Sequence, residues 1–193
     1  MSDTATPLAR LELTTTSGTI AHLPVWAGIA AADVEPGVTE LVDMATAEFA
    51  ALEESLEPTW AGLMEPLERI EHRLEAVIGA ITHLTSVKYS DEMQEAYDAV
   101  RPAIVAMSNT MSQSRAVYDA MVALRDSDEG QNLSVARARI LDESIRGMER
   151  SGVALTGAQQ DRYKEIKNRL AEISNTFSTN LIKEERESRV KVT

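Results

Sequence analysis

The sequence predicts an all-α fold, an array of about five mostly antiparallel amphipathic helices of which the last is long. Ala, Leu, Glu, Met and Arg are plentiful, whereas aromatic residues make up only 4% of the 193 residues. Unbranched side chains lose little rotamer freedom in a helix, so this composition favours helices. Apolar residues recur at helical spacing in several long segments, and no convincing pair of strands is predicted.

The composition also restricts the class of protein. With 44% hydrophobic residues, the chain can bury one core. Its formal net charge of −12 disfavours nucleic acid and anionic membranes as partners. There is no Cys, which excludes disulfides and fits the cytoplasm, with an organelle as the alternative. The longest apolar run, Leu23–Ala32, is too short to span a bilayer, and no signal peptide is predicted.

Two regions are predicted along the chain. Residues 1–22 are polar and Thr-rich, which indicates a flexible leader with a short extended piece at Leu11–Leu13. Residues 23–193 are predicted to form a single helical domain. Within it, Leu23–Ala32 is expected to be irregular.

The first two helices have recognisable start signals. Asp33 is the expected N-cap of the first, with Pro36 in its first turn and Pro58 at its end. Thr59 is the expected cap of the second, and Pro66 a local restart or kink. The expected core residues are Val38, Leu41, Val42, Ala45, Phe49 and Leu52, followed by Leu67, Ile70, Leu74, Val77, Ile78, Ile81 and Leu84.

The third and fourth helices are predicted from Ser90 to Met148. Ser90 and Asp91 open the third, Pro102 is expected to kink or interrupt it, and the loop Asp126–Gly130 stops it. The fourth runs over Val135–Met148. Its end is marked by Ser151 and Gly152.

The last helix is predicted to open with a capping box formed by Thr156 and Gln159. Its apolar stripe comprises Tyr163, Ile166, Leu170, Ile173, Phe177 and Leu181. The segment Lys183–Arg189 is charged all round and has no C-cap signal. Since helix ends are normally marked, we expect the chain to stop inside a longer helix.

No catalytic, metal or cofactor site is predicted in this chain. Of the three His, His72 and His83 are three turns apart on one helix, too far to share a metal ion, and His22 lies in the leader. Asp126–Gly130 begins like a calcium loop, but Gly130 is fifth rather than sixth and Arg137 stands where a Glu is needed. A solvated loop is the better interpretation.

Other candidates also have plainer explanations. The carboxylate pairs Glu53–Glu54 and Glu184–Glu185 are expected on solvated faces. Phosphate-binding glycine loops and the G-x-S-x-G elbow are absent from the sequence. Four methionines at core spacing could form an adaptable binding surface, although gap-filling in the core is more common. These are Met93, Met107, Met111 and Met121.

Several segments together carry a family resemblance. The most specific is Ile81–Tyr97, and its neighbours occur in the matching order. The further segments are Trp26–Ile29, Val34–Val38, Thr59–Glu68, Leu124–Asp126, Ser151–Leu155 and Arg162–Ile182. The chain resembles the N-terminal helical region of M3-family zinc metallopeptidases, the oligopeptidase A and thimet oligopeptidase group.

The resemblance implies a function that this chain cannot perform alone. The family is expected to be helical, with two lobes around a channel that admits short peptides. Zinc would be bound by H-E-x-x-H, which does not occur in these 193 residues. The parent is therefore expected to be a zinc metalloendopeptidase that hydrolyses short peptides. Its catalytic lobe, with the zinc, would lie in a region that is absent here. This chain would be inactive and would build one lobe and the channel wall.

Two alternatives stay open. The chain could be a free-standing helical protein-binding or regulatory module derived from such a peptidase. It could also be a helical bundle unrelated to peptidases, which the matching segments across several helices argue against.

Overall fold

Long helices dominate the computed structural model, which describes residues 6–12, 14–17 and 20–187. The prediction of an all-α fold is confirmed. The α-helices in these ranges are α1 (Pro7–Leu11), α2 (Ala31–Glu54), α3 (Glu65–Val87), α4 (Asp91–Ser112), α5 (Arg115–Asp126), α6 (Asp128–Gln131), α7 (Val135–Arg150) and α8 (Ala158–Glu187). A 3₁₀ turn, Trp26–Gly28, precedes α2, and a π-helical turn, Trp60–Met64, precedes α3.

A short antiparallel hairpin was missed by the sequence analysis. It consists of β1 (Thr14–Ser17) and β2 (Ile20–Pro24), with Thr14 opposite Pro24 and Ser17 opposite Ile20. Three of the four residues of β1 are the β-branched Thr, which suits extended backbone, and Ile20 is the one β-branched residue of β2. The extended piece expected at Leu11–Leu13 differs from the structure, since Leu11 ends α1 and Leu13 lies outside the described residues.

The predicted leader contains a packed element. Leu8 and Leu11 of α1 are buried against α2. Gly37 allows this close approach, because a Cβ there would lie 2.6 Å from Cδ1 of Leu11. Arg10 donates from Nε to Asp33 Oδ1 at 2.9 Å and forms a second, shorter contact through Nη2. The part of the predicted leader that forms α1 thus packs on the helical domain; residues 1–5, 13 and 18–19 lie outside the described residues.

Helix α2 forms the centre of the core and packs on α1, α3 and α4. All six predicted apolar positions of its stripe are buried, including Leu41 and Phe49. Its start differs from the prediction: the N-cap is Ala30, and Asp33 lies inside the first turn as an ion-pair partner. Pro36 is consequently the sixth helical residue and not part of the first turn.

The entry to α3 is a π-helical turn. Thr59 caps it as predicted, with Oγ1 accepting a hydrogen bond from the N–H of Gly62 at 3.0 Å. Pro66 follows as the second residue of α3, directly after the π-helical turn. Trp60 is held from two sides: Glu129 accepts its backbone N–H at 2.9 Å, and the Arg137 guanidinium lies 4.8 Å from its ring centre.

The predicted third helix is divided in the structure, but not at Pro102. Helix α4 continues through Pro102 to Ser112, and the break comes at Gln113 and Ser114. Ser114 caps α5 and donates from its hydroxyl to Glu53 Oε1 at 2.5 Å. The start at Ser90 is confirmed, since its hydroxyl accepts the N–H of Met93.

The last two long helices meet at a glycine turn. Helix α7 ends at Arg150 and Gly152 follows with φ +88°, as the Ser151–Gly152 signal predicted. Helix α8 begins after Gly157, so Gly157 rather than Thr156 stands immediately before it. Within the described ranges, no helix is both long and apolar enough to cross a membrane.

Candidate functional site

The histidines are separated in the structure. His72 is exposed on α3, and His83, also exposed, lies beside Trp26 with ring centres 5.2 Å apart. The side chain of His22 lies outside the described residues. Within the described part of the chain, no group of three His, Asp or Glu residues is placed to hold a metal ion.

The acidic candidates have structural roles where they can be described. In the loop Asp126–Gly130, Ser127 caps α6 by accepting the N–H of Gly130 at 3.1 Å, and Asp126 pairs with Arg125 at 2.9 Å. Glu53 accepts the Ser114 hydroxyl. The side chains of Glu184 and Glu185 lie outside the described residues. None of these contacts shows the two members of a carboxylate pair in contrasting environments, which paired acid–base chemistry requires.

An open apolar groove of about 570 Å³ lies between α3, α4 and α5, and Met148 of α7 also lines it. Leu67 and Thr82 mark its extent along α3. Met side chains from three helices line it, and a thioether on an unbranched chain adapts to different neighbours. They are Met107, Met111, Met121 and Met148. Of the four methionines singled out from the sequence, three line this groove and Met93 is buried outside it.

Two carboxylates, Glu71 and Glu75, are among the residues that line the groove. Burial among the groove side chains raises the pKa of the Glu71 carboxyl, and the charges of Glu75 and Glu68 raise it further. Glu71 nevertheless keeps access to solvent. The groove therefore has a largely apolar lining that includes two carboxylates.

Helix α8 presents a second apolar surface. Four residues of its predicted apolar stripe are exposed, with between 45% and 66% of each residue accessible; we call them the α8 stripe. They are Ile166, Leu170, Ile173 and Phe177. Arg169, Ile173, Thr176 and Phe177 line a shallow depression, so a guanidinium borders the stripe. The sequence predicted the periodicity, but the structure leaves the stripe uncovered.

The junction between α7 and α8 lies at the end of the groove. Tyr163 packs its ring on Gly152 and donates its hydroxyl to the carbonyl of Arg150 at 2.8 Å. The Ser151 hydroxyl donates to the carbonyl of Ser112, a groove residue, at 2.7 Å. These contacts fix where α8 leaves the domain.

The sequence analysis did not predict that Glu71 lines a groove, or that Glu129 and Arg137 contact Trp60. The carboxylates Glu68, Glu71 and Glu75 recur at helical spacing, which is a signal for mutual repulsion. Their position beside a groove depends on the packing of α4 and α5. The approach of Glu129 and Arg137 to Trp60 likewise joins residues distant in sequence, and no local pattern predicts it.

Comparison with known proteins identifies the family. The family of the neurolysin and thimet oligopeptidase N-terminal domain matches residues 38–160. The chain is 36% identical over 159 residues to the organellar (chloroplastic/mitochondrial) oligopeptidase A of Arabidopsis thaliana, covering 82% of this chain and 20% of that protein. It is 35% identical over 159 residues to the probable cytosolic oligopeptidase A of the same plant, covering 82% and 23% respectively.

A bacterial relative supports the same family assignment. Oligopeptidase A of Salmonella typhimurium is 34% identical over 161 residues, which cover 83% of this chain and 24% of the relative. The chain thus spans about a fifth to a quarter of the length of these relatives. Because the match includes α3, α4, α5 and α7 in full, the groove belongs to the matched region. The chain belongs to the family of the neurolysin and thimet oligopeptidase N-terminal domain.

Proposed function

We propose that this chain is the N-terminal, non-catalytic part of a zinc-dependent oligopeptidase that hydrolyses short peptides. The observation that carries the proposal is the unequal coverage: the match takes in 82% of this chain but only 20% of the organellar oligopeptidase A. The described residues also do not fit zinc, since they hold no cluster of three possible ligands. Zinc and the reacting groups would belong to a region outside this sequence.

In that enzyme the helices would form one lobe and a wall of the substrate channel. The partner would be the catalytic lobe of the same polypeptide, and short peptides would be the substrates. A rigid wall restricts substrate size by geometry, and α2 with its buried stripe supplies such rigidity. The proposed compartment is the cytoplasm, with an organelle as the alternative, since relatives named for both exist.

The proposal is tested first on the chain itself. The purified 193-residue protein should contain substoichiometric zinc by elemental analysis and should leave a short fluorogenic peptide intact. Oligopeptidase A of Escherichia coli, prepared in parallel, is the positive control. Zinc-dependent cleavage by the isolated chain, sensitive to chelators, would overturn the non-catalytic assignment.

A second experiment tests the structural role. The chain is mixed with an Escherichia coli oligopeptidase A fragment that lacks the aligned N-terminal region. We expect cleavage to be recovered, with short peptides favoured over long ones. Recovery without any preference for short peptides would argue against a channel wall, and no recovery would argue against docking on the catalytic lobe.

The exposed α8 stripe favours a second candidate function, a free-standing helical protein-binding module. Such a module would bind a partner without restoring cleavage. The mixing experiment therefore separates the two candidates, because only the first predicts recovered peptidase activity.

A further inference from the structure

Helix α8 adds no described side chain to the core. None of its side chains that the structure describes is buried, whereas α2, α3, α4, α5 and α7 all supply buried apolar residues. Among the residues whose burial is described, Val153 is the last core residue along the chain. As far as the structure describes the side chains, the core therefore ends before α8 begins.

The turn before α8 has the features of a boundary between two units. Gly152 and Gly157 have left-handed backbone, with φ +88° and +54°, in the segment that links α7 to α8. The family match also stops here, because it covers residues 38–160 and so ends in the first turn of α8. That family is an N-terminal domain, and this chain covers only 20% to 24% of its oligopeptidase A relatives. Most of the relatives' length therefore follows the matched domain.

The α8 stripe has the spacing of a contact between two helices. Ile166, Leu170, Ile173 and Phe177 follow one another at intervals of four, three and four residues. This is the a/d pattern of a heptad, which forms a narrow seam that packs knobs-into-holes against another helix. An extended peptide repeats every two residues and does not match it. The occupant that fits is an amphipathic helix running along α8 for about three turns.

One flank of this seam restricts the charge of the facing helix. Arg162 and Arg169 are seven residues apart, and each directly precedes a seam position, Tyr163 and Leu170. In a heptad these are g positions, whose charges pair across the contact and select the partner. Both side chains are exposed, and Arg162 also contacts Glu165 of α8 itself at 2.9 Å. Carboxylates on the facing helix would complement this cationic flank.

We propose that α8 belongs with the region that follows the N-terminal domain in the parent polypeptide, and that its stripe packs there against an amphipathic helix with carboxylates on its flanks. The partner is that region of the same polypeptide, so this inference rests on the proposed function and deepens it. The α8 stripe is then the surface through which the chain meets the catalytic lobe. The boundary between the two units lies in the turn 152–157.

The boundary is tested in the isolated chain with three isoleucines. Ile173 of the stripe is 50% exposed, whereas on α7 Ile140 is 52% and Ile145 is 2% exposed. Ile173→Glu, like the control Ile140→Glu, should shift the urea midpoint by less than about 0.3 M, because neither residue is in the core. Ile145→Ala should lower it by about 1 M or more. A loss for Ile173→Glu as large as that for Ile145→Ala would place α8 in the core of this chain and overturn the boundary.

The chemistry of the partner is tested with two synthetic heptad peptides. Both have Leu at the a and d positions; one has Glu and the other Lys at the e and g positions. By fluorescence anisotropy the Glu peptide should bind at least about tenfold more tightly, because only it complements the cationic flank. The net charge of −12 alone would favour the Lys peptide, so the order of the two affinities is diagnostic.

The isoleucine variants locate that binding on the chain. Ile173→Glu should weaken binding of the Glu peptide about tenfold or more, because it places a charge among desolvated anchors, and Ile140→Glu should change it less than about twofold. Equal or tighter binding of the Lys peptide, or binding that is insensitive to Ile173→Glu, would overturn the assigned partner chemistry.

The mixing experiment with the Escherichia coli oligopeptidase A fragment separates this inference from the proposed function. Co-sedimentation is measured beside cleavage for the wild-type chain and both Glu variants. Ile173→Glu should lose docking and recovered cleavage, and Ile140→Glu should keep both. If Ile173→Glu docks as well as the wild type, the α8 inference fails while the proposed function stands. If the wild-type chain itself does not dock, the proposed function fails and the inference falls with it.

Discussion

Glu71 shows how packing acts on a single residue. Burial, followed by the charges of Glu75 and Glu68, raises the pKa of its carboxyl above the ordinary 4.5. A raised carboxyl pKa means that the folded state binds the proton more readily than the unfolded chain does. Ionised Glu71 therefore opposes folding, and this opposition is greatest at pH values above the raised pKa.

The expected result is that Glu71→Gln stabilises the protein at pH 7, by up to about 0.5 kcal/mol because the group keeps access to water. The gain should shrink as pH falls from above the raised pKa towards the unfolded value. Urea unfolding between pH 4 and 7 measures both. Glu35→Gln, at an exposed position of α2, is the control, and an equal pH-dependent gain there would exclude a local cause.

Asp33 illustrates what local sequence can and cannot predict. Its type and its place before an apolar stripe predicted an N-cap, and a helix does begin nearby. Its actual partner, Arg10, is 23 positions away on α1. Only the packing of α1 against Gly37 brings the two together, and no local pattern contains that information.

At the scale of elements, the turn between α7 and α8 depends on one glycine. Gly152 has φ +88°, and a Cβ there would lie 2.9 Å from the Tyr163 ring. Gly152→Ala should therefore destabilise the protein by about 1–2 kcal/mol through backbone strain and the clash.

Gly147→Ala is the matched control on α7. No heavy atom lies within 4 Å of a Cβ added there, and its helical backbone favours Ala. It should stabilise by about 0.5–1 kcal/mol. Chemical denaturation of both variants measures the difference. Equal stability of Gly152→Ala and the wild type would show that Tyr163 does not hold the junction.

Pro102 shows a second limit on predicting helices from the sequence. Pro102 was expected to interrupt a helix, yet α4 continues past it. It lies on the exposed side, where water can solvate the Asp98 carbonyl that lost its hydrogen-bond donor. Which side of a helix a proline occupies is a tertiary property. The apolar stripe of α2, by contrast, was predictable because it follows helical periodicity alone.

For the molecule as a whole, burial is unevenly distributed. Helix α2 supplies central core residues such as Leu41 and Phe49, whereas none of the α8 side chains that the structure describes is buried. Local stability follows the number of buried apolar contacts. We therefore expect backbone amides of α8 to exchange with deuterium at least about tenfold faster than those of α2 in dilute, monomeric protein.

Hydrogen exchange with peptide-level mass spectrometry measures this contrast. Peptides covering Ile166–Phe177 are compared with peptides covering Leu41–Phe49 in one experiment. Equal protection of both helices would contradict the prediction.

Periodicity predicted the apolar stripe of α8, but a pattern does not say which surface covers it. The same limit applies to the groove. Met107, Met111 and Met121 were singled out from the sequence with core packing as the favoured interpretation, whereas the structure shows that they line an opening together with Met148. The family resemblance, carried by Ile81–Tyr97 and the segments around it, predicted the fold class and the family that the comparisons confirm. It could not supply the hairpin, α1 or the exposed surfaces, which depend on contacts between distant residues.

The two tryptophans are intrinsic fluorescence probes of two different regions of the molecule. Trp60 is 6% exposed and faces a guanidinium, whereas Trp26 is 44% exposed and lies beside an imidazole. Their fluorescence should therefore differ in emission wavelength. Folding of the core and events near the α3 end can thus be followed separately, in real time and without a label.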